Sequence, residues 1–291
     1  MDDGNATIGF VGLGSMGGAM ASTLVGAGYG VIGFDPDPNA MSKAVDVGVL
    51  AAPGAGDVSE RCNVVLVSLR SSAIFVEVAE NELLPAVSDG SIIVDLGTTE
   101  APEDRRLAAA FAERGACLLD APVSGGPGGS ATGTLHMFAG GDPDAFEAVR
   151  AVLETLGADG RVVYCGPSGS GQVVKAVNQL AMGLGLAAYV EAMAYGVRSG
   201  IDPEAILQAV GGPDGFRAQF AGVARSVARN DDPAFYVKFP ELGYFLREAE
   251  EAGLATPLTR ALFDFLDPAE RVTVDNMGRP IPSFWRELMA R

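Results

Sequence analysis

The chain has 291 residues, of which 48% are hydrophobic and 20% are charged, a balance typical of one large or two ordinary globular domains. Its net charge of −17 opposes binding to nucleic acid and to anionic membranes, so we expect neither partner. The cysteines Cys62, Cys117 and Cys165 show no disulfide or zinc spacing, and the acidic N-terminus shows no secretory signal. We therefore expect a cytoplasmic location.

The first half of the chain alternates strand-like and helix-like segments, which predicts an α/β fold with a parallel, doubly wound sheet. The segments NVVLVSL and SIIVDL are continuous apolar runs, as expected of strands buried on both faces. A first helix is predicted over Met16–Gly26. The predicted strands are Thr7–Val11, Gly30–Phe34, Val64–Ser68, Ser91–Leu96, Ala116–Leu119, Leu135–Ala139 and Arg161–Tyr164.

The strand-like pattern ends at the segment CGPSGSG, residues 165–171. We therefore predict two domains, 1–166 and 167–291, the second all-α and beginning with a long helix. The apolar run Leu180–Val190 is shorter than the ~20 residues that a membrane span needs, which favours a buried helix. Helices are predicted over Gly171–Val197, Pro203–Val210, Phe216–Arg229, Pro240–Ala252 and Pro257–Leu266.

A glycine motif follows the first predicted strand. In GFVGLGSMG, Gly12, Gly14 and Gly17 have G-x-G-x-x-G spacing and open the first helix. The first glycine permits a tight turn, the second lets a pyrophosphate approach the backbone, and the third lets helix and strand pack closely. Because the helix N-terminus then faces the phosphates, the motif predicts a dinucleotide-binding Rossmann domain over residues 1–166.

An acid at the end of the second strand indicates which dinucleotide is bound. Asp35 lies about 20 residues after Gly14, where a carboxylate accepts the ribose hydroxyls of NAD and repels the 2′-phosphate of NADP. No basic residue follows closely, so NAD is the expected cofactor. The alternative is that Asp35 only opens the turn before Pro36.

A binding site for an anionic substrate is predicted in the segment DAPVSGGPGGSATGTL, residues 120–135. This glycine-rich loop follows a strand of the cofactor domain, and strand ends face the ligand crevice in such sheets. Ser124 and the backbone N–H groups of Gly125 and Gly126 are suited to a carboxylate. A flexible glycine loop without a ligand is the alternative.

Two residues are candidates for proton transfer. His136, the single histidine, lies in a strand-like run and is interpreted as structural. Lys175 lies early in the long helix among apolar residues, where burial lowers a lysine pKa toward neutrality. Asn178 and Gln179 follow at helical spacing and are suited to orient the lysine or a substrate oxygen. On spacing alone, a solvated helix lysine is an equal alternative.

The motifs GFVGLGSMGGAMA, VDLGTT, DAPVSGGPGGSATGTL and GQVVKAVNQL occur in this order and spacing over nearly the whole chain. Together they resemble the β-hydroxyacid dehydrogenase family, which includes 3-hydroxyisobutyrate dehydrogenase and tartronate semialdehyde reductase. The resemblance implies hydride transfer between NAD and a small β- or γ-hydroxy acid or its semialdehyde, in a homo-oligomeric dimer or tetramer.

The resemblance also implies the roles of individual residues. Lys175 would be the general acid/base. The implied substrate-binding residues are Ser124, Gly125, Gly126, Asn178, Gln179 and Phe235. The implied cofactor-binding residues are Gly12, Leu13, Gly14, Ser15, Met16, Gly17, Asp35, Leu69, Arg70, Thr98 and Glu241.

Two departures from the family pattern leave alternatives open. Thr23 stands where the family often has asparagine, and Pro240-Glu241-Leu242 replaces a Lys-Asp-Leu motif. The family's lysine near the cofactor is thus absent, although Glu241 keeps the acid. An imine reductase on the same scaffold is one alternative, although such enzymes usually replace the lysine that is present here as Lys175. A non-catalytic NAD-binding module is the other.

Overall fold

The computed structural model describes residues 7–157, 161–229, 241–265 and 284–290. The chain forms two compact units, residues 1–176 and 177–291. Predictions that concern residues 230–240 and 266–283, among them the role of Phe235, lie outside the described residues.

The first unit is built on a single sheet, and nine strands belong to it within the described residues. The strands are β1 (Thr7–Val11), β2 (Gly30–Phe34), β3 (Leu50–Ala51), β4 (Val64–Val67), β5 (Ile92–Asp95), β6 (Cys117–Asp120), β7 (Val123–Ser124), β8 (His136–Gly140) and β9 (Val162–Gly166). The seven predicted strands are present, with ends shifted by no more than two residues; β3 and β7 were not predicted.

The strands run in the order β3-β2-β1-β4-β5-β6-β8-β7, with β9 beside β8. Strands β1 to β6 pair in parallel, as predicted, but β8 pairs antiparallel with both β6 and β7. The predicted parallel, doubly wound sheet is therefore confirmed over β1 to β6; the antiparallel pairs lie at this edge, where the helical segment Gly126–Thr132 reverses the chain between β7 and β8. The parallel strands bring their carboxyl ends to one edge of the sheet.

Helices cover both faces of this sheet. They are α1 (Gly17–Gly26), α2 (Pro38–Asp46), α3 (Ala55–Arg61), α4 (Ser72–Val78), α5 (Leu84–Ala86), α6 (Ala101–Ala112), α7 (Gly126–Thr132) and α8 (Pro143–Leu156), with a π-helical turn at Ala79–Leu83. Leu66 and Val94 belong to the core on one face, and Val65, Val67 and Ile93 belong to the core on the other. Burial on both faces explains why these strands are uninterrupted apolar runs.

After β9 the described residues form helices only, with no strand between them. They are α9 (Ser170–Arg198), α10 (Pro203–Val210), α11 (Gly215–Ala228), α12 (Leu242–Glu251), α13 (Pro257–Asp264) and α14 (Phe284–Ala290). Caps define several of these ends: Asp202 accepts from Glu204 N at 3.0 Å, and a proline begins α10 and α13.

Helix α9 is more exposed than the sequence predicted. Within the run Leu180–Val190, Met182 is 53% exposed whereas Ala187 and Val190 are 9% and 0% exposed, so the interpretation as a buried helix holds for only part of its surface. By length and composition alone the 29-residue helix could cross a membrane, with a mean hydropathy of 1.4 in its 18-residue window. This is weak support for a membrane segment, because core helices of other proteins pass the same test.

Candidate active site

The glycine motif forms a tight turn from β1 into α1. A Cβ on Gly12, whose φ is +87°, would lie 2.3 Å from Ser68 O, and a Cβ on Gly17 would lie 1.9 Å from Gly12 O. Gly14 differs, because a Cβ there would meet no atom within 4 Å. Gly12 and Gly17 are thus required by the protein's own packing, whereas Gly14 borders open space.

The start of α1 is suited to an anion. Met16 occupies the N-cap position and its side chain provides no cap, while Gly18 N donates to Gly14 O at 2.8 Å. Gly14 and Ser15 are exposed and Met16 is half-buried, while Leu13 is part of the core. The segment that the sequence assigned to the cofactor therefore exposes backbone to solvent where a pyrophosphate would bind.

Asp35 combines the two roles that the sequence left open. Its Oδ2 accepts a hydrogen bond from Leu13 N at 2.7 Å, and its Oδ1 accepts one from Asp37 N at 2.8 Å. The first bond joins the glycine turn to the end of β2, and the second shapes the turn before α2. Since each carboxylate oxygen has a second lone pair, acceptor capacity remains for ribose hydroxyls.

The remaining predicted cofactor residues of the first unit follow other strand ends. Leu69 is half-buried and Arg70 is exposed after β4, and Thr98 is half-buried after β5. Because β1, β2, β4 and β5 are parallel neighbours, their carboxyl ends meet at one edge. The topology thus places the predicted residues of four separate segments along one crevice edge.

The predicted glycine-rich loop is not a loop. Ser124 lies in β7 with His136 as its register partner, and α7 begins at Gly126. Gly125 and Gly126 have φ values of +138° and +62°, which glycine alone adopts readily. A Cβ on Gly126 would meet no atom within 4 Å, so its backbone is open to a ligand. Thr23, the departure in α1, donates to Ser130 O at 2.9 Å and joins α1 to α7.

Lys175 is buried in the first unit. It is 7% exposed, and its Nζ donates to Val123 O at 2.6 Å. The alternative of a solvated helix lysine is therefore wrong. The bond brings the amine to the residue that immediately precedes Ser124, the predicted substrate ligand. His136, by contrast, is exposed at the start of β8.

Two predicted residues meet in the second unit. Gln179 is 6% exposed, and its Nε2 lies 3.5 Å from Glu241 Oε2. The Oε1 atom of Gln179 is buried and has no hydrogen-bond partner within the described residues. A buried amide oxygen without a donor is suited to accept from a ligand. Asn178 precedes it in α9 and is half-buried.

The sequence analysis missed a group of buried polar residues in the first unit. Asp95 at the end of β5, Asp120 at the end of β6 and Asp104 in α6 are each no more than 1% exposed, and Gln172 in α9 is 3% exposed. Asp95 and Asp120 both terminate apolar strands, and this was the signal available in the sequence. Burial raises the pKa of Asp95 to about 7 and that of Asp120 to about 6, although hydrogen bonds oppose both shifts.

Asp104 is the least satisfied of these carboxyls. Neither of its oxygens has a hydrogen-bond partner within the described residues. Burial raises the pKa of Asp104 well above its ordinary value, and the charges of Asp95 and Asp120 raise it further; the side chain of Gln172 opposes the shift only in part. The fold therefore favours the protonated form of Asp104.

We expect Asp104→Asn to stabilise the protein above neutral pH. A raised carboxyl pKa contributes stability that is present below the ordinary pKa and is lost as pH rises through the raised value. The amide carries no charge, so the free energy of unfolding at pH 8 should rise by about 1–3 kcal/mol, while at pH 4 it should change little. Urea unfolding at pH 4 and at pH 8 measures the change in the free energy of unfolding at each pH.

The matched control for this prediction is Glu113→Gln, which removes an exposed charge at the end of the same helix. It should leave the pH dependence of stability unchanged. A destabilised Asp104→Asn variant at pH 8 would show that the Asp104 charge is stabilising, against this interpretation.

These features together define a class. A Rossmann sheet, a glycine turn at an uncapped helix and an acid at the end of the second strand form a dinucleotide-binding domain. Lys175, buried with its Nζ on Val123 O, is of a residue type that can transfer protons. The class is a dinucleotide-dependent oxidoreductase.

Comparison with known proteins agrees with this class. Residues 7–166 match the family model described as the NAD binding domain of 6-phosphogluconate dehydrogenase. Residues 169–276 match the model described as the NAD-binding domain of NADP-dependent 3-hydroxyisobutyrate dehydrogenase. An oxidoreductase of Bacillus subtilis (strain 168), YkwC, is 33% identical over 268 residues, which are 89% of this chain and 92% of that protein.

Two further matches are to 3-hydroxyisobutyrate dehydrogenases. The mitochondrial enzyme of Mus musculus is 37% identical over 199 residues, 68% of this chain and 59% of that enzyme, so less than two thirds of it is matched. The structure of the Mycobacterium tuberculosis enzyme with L-serine is 28% identical, has a TM-score of 0.81 and covers 98% of both chains. An imine reductase from Pseudomonas sp., at 20% identity and a TM-score of 0.63, shares the fold alone.

The chain belongs to the β-hydroxyacid dehydrogenase family, whose members are NAD(P)-dependent hydroxyacid dehydrogenases. The resemblance found in the sequence is thereby confirmed, together with the α/β fold of its first domain.

Proposed function

We propose that this protein transfers a hydride between NAD and a small β- or γ-hydroxy acid or the matching semialdehyde, with Lys175 as general acid/base. The observation that carries the proposal is the bond from Lys175 Nζ to Val123 O at 2.6 Å. It brings a buried amine beside Ser124, Gly125 and Gly126, a segment whose open backbone suits a carboxylate.

Lys175 performs the proton transfer in this mechanism. One N–H group stays on Val123 O and holds the amine in place. In oxidation, the neutral amine accepts the proton of the substrate hydroxyl through its lone pair; in reduction, the ammonium returns that proton to the carbonyl oxygen. The nicotinamide, when bound, supplies the hydride chemistry.

The predicted substrate-binding residues lie in separate segments of the chain. Ser124 and the N–H groups of Gly125 and Gly126 would bind the substrate carboxylate. Gln179 Oε1, which has no hydrogen-bond partner within the described residues, is suited to accept from a ligand hydroxyl. Asn178 and Phe235 stay predictions as substrate ligands, and Phe235 lies outside the described residues. Electrostatic attraction is local, because the chain as a whole carries a net charge of −17.

The cofactor is held by the strand-end segments. The turn of Gly12, Leu13, Gly14, Ser15, Met16 and Gly17 would hold the pyrophosphate, with the N–H group of Leu13 retained by Asp35, and Asp35 would bind the adenosine ribose. Leu69 and Arg70 line the groove, Thr98 lies by the nicotinamide, and Glu241 retains the acid of the altered family motif. The predicted boundary at residue 166, the homo-oligomeric state and the cytoplasmic location stay predictions.

The test is NADH formation by the purified protein, followed by absorbance with NAD or NADP against a panel of small hydroxy acids. Turnover with NAD and one chemical class of β- or γ-hydroxy acid is the expected result. Turnover only with a cyclic imine and NADPH would replace the proposal with an imine reductase. Tight NAD binding without turnover on any substrate would indicate a non-catalytic module.

A charge substitution tests the preference for NAD. We expect Asp35→Asn to lower the ratio of kcat/KM for NAD over NADP by about tenfold, because the amide no longer repels the 2′-phosphate. Its single oxygen still accepts from Leu13 N, whereas the bond from Asp37 N is lost, so the melting temperature is recorded as well. The ratio is measured with a saturating substrate from the panel.

The control is Asp46→Asn, which removes an equal charge from the exposed end of α2. It should leave the cofactor ratio unchanged. An equal effect of both substitutions would assign the preference to overall charge and not to Asp35.

A further inference from the structure

The carboxylate of Asp120 fastens the first turn of α9 to the sheet. Its Oδ1 accepts from Gly169 N at 2.7 Å, and its Oδ2 accepts from Gln172 N at 3.0 Å. The approach is close, because a Cβ on Gly171 would lie 2.0 Å from Phe138 O. A carboxylate at a helix N-terminus also matches the positive end of the helix dipole. The first turn of α9 is thus fixed to the ends of β6 and β8.

A second carboxylate organises the segment after β5. Asp95 Oδ1 accepts from Gly97 N at 2.8 Å, and Asp95 Oδ2 accepts from Thr99 Oγ1 at 2.6 Å. Thr98, the residue predicted to lie by the nicotinamide, stands between these two anchor points. Asp95 therefore fixes the backbone on either side of Thr98.

The side chain of Gln172 joins the two anchored segments. Its Oε1 accepts from Thr99 N at 3.1 Å, and its Nε2 donates to Gly97 O at 3.1 Å. The same Nε2 lies 3.4 Å from Asp95 Oδ2. Since Gln172 is 3% exposed and its own N–H binds Asp120, one residue connects the end of β5, the end of β6 and α9.

Lys175 lies one helical turn after Gln172 in α9 and is held at its tip by Val123 O. Residues three apart in a helix lie on neighbouring positions of one face. Gln172, which contacts the segment around Thr98, and Lys175, which contacts Val123, thus project from the same anchored part of α9.

We propose that Gln172 is a positioning residue, which sets the distance between the Thr98 segment and Lys175 and so aligns hydride transfer with proton transfer. This inference rests on the proposed function. Gln172 itself contacts neither the substrate nor the cofactor in this proposal; it acts through the two segments that it joins.

The chemistry of an amide explains why glutamine suits this position. The Thr99 N–H needs an acceptor and the Gly97 carbonyl needs a donor, and a neutral amide provides both. A glutamate here would be buried close to Asp95, Asp104 and Asp120, and in its charged form it could only accept. A methionine has similar length but neither a strong donor nor a strong acceptor.

Two variants separate these properties. Gln172→Met removes both hydrogen bonds with little change in side-chain length. Gln172→Glu keeps the acceptor for Thr99 N and gains a donor for Gly97 O when it is protonated. The control is Gln208→Met, because Gln208 is an exposed glutamine of α10.

Kinetics and hydrogen exchange are measured on each variant. For Gln172→Met we expect kcat to fall about 10–100-fold, with KM values for NAD and hydroxy acid changed less than about threefold, because misalignment affects the reacting geometry more than binding. A substrate deuterated at the reacting carbon should show a larger isotope effect on kcat. Amide exchange in peptides covering 95–100 should accelerate, with or without substrate.

Gln172→Glu should recover activity at low pH, where its protonated carboxyl can again donate to Gly97 O. Burial and the acids Asp95, Asp104 and Asp120 favour its protonated form, whereas Lys175 in the same helix opposes this. Its kcat relative to the unaltered protein should therefore rise as pH falls and be lost as pH rises. Gln208→Met should match the unaltered protein in every measurement.

Three results would overturn the proposal. They are an unchanged kcat per folded molecule in Gln172→Met, a rise in both KM values at constant kcat, and unaltered amide exchange over 95–100. If the unaltered protein turns over no substrate, the proposed function fails, whereas the exchange measurement still decides whether Gln172 joins the two segments. If Gln172→Met fails to fold, the pH profile and exchange of Gln172→Glu decide.

Discussion

Lys175→Ala is expected to reduce kcat by about 10²–10⁴-fold, the range over which a positioned acid or base accelerates proton transfer. The Kd for NAD should change less than about threefold, because the cofactor segments lie at other strand ends. Steady-state NADH formation measures kcat, and isothermal titration calorimetry measures NAD binding. Removal of the amine also leaves Val123 O without its donor, so the melting temperature is recorded as well.

The chain offers a matched control for this substitution. Lys43 is exposed on α2, and Lys43→Ala removes the same side chain from a site without a predicted role. It should retain full activity. If Lys175→Ala kept activity within a few-fold of the unaltered protein, Lys175 would not be the general acid/base.

Gly14→Ala should weaken NAD binding without destabilising the fold, whereas Gly17→Ala should destabilise the fold itself. A Cβ on Gly14 meets no protein atom within 4 Å, so Gly14→Ala should melt like the unaltered protein. The same methyl group occupies the space where the pyrophosphate would approach the backbone, so the Kd for NAD should rise at least about tenfold.

Gly17→Ala, by contrast, places a methyl group 1.9 Å from Gly12 O. We expect it to destabilise the fold by about 1–3 kcal/mol or more, because backbone must move. Gly26→Ala, at the exposed end of α1 with open space around it, is the control for both. Unchanged NAD affinity in Gly14→Ala would place the pyrophosphate elsewhere.

The fold could be predicted from sequence where local pattern and burial agree. Strands β1 and β2 have the predicted ends, because each is an apolar run followed by glycine or by an acid and proline. Strands β3 and β7 were missed because each has two residues, too few for a period. The glycines of DAPVSGGPGGSATGTL suggested a loop, yet the segment Gly126–Thr132 is a helix, since tertiary packing against α1 outweighs low helix propensity.

Candidate site residues could be named from the sequence, but the contacts among residues of separate segments could not. Glycine spacing and the lysine motif identify Gly12 to Gly17 and Lys175. The network of Asp95, Asp120 and Gln172 was missed, because its bonds join residues 49 to 77 positions apart. Sequence spacing carries no information on such contacts without an alignment, and the exposure of α9 likewise depends on what packs against it.

The anchored start of α9 has a consequence for how substrate range can change. Asp120 holds the helix at Gly169 and Gln172, so the position of Lys175 is set by the sheet and by residues before it. Residues that follow, such as Asn178 and Gln179, can then be exchanged without displacing the amine. Under the proposed function, acid–base chemistry and substrate selectivity would then depend on different parts of α9. Libraries that seek a new hydroxy acid should vary positions from 178 onward and leave 169–175 unchanged.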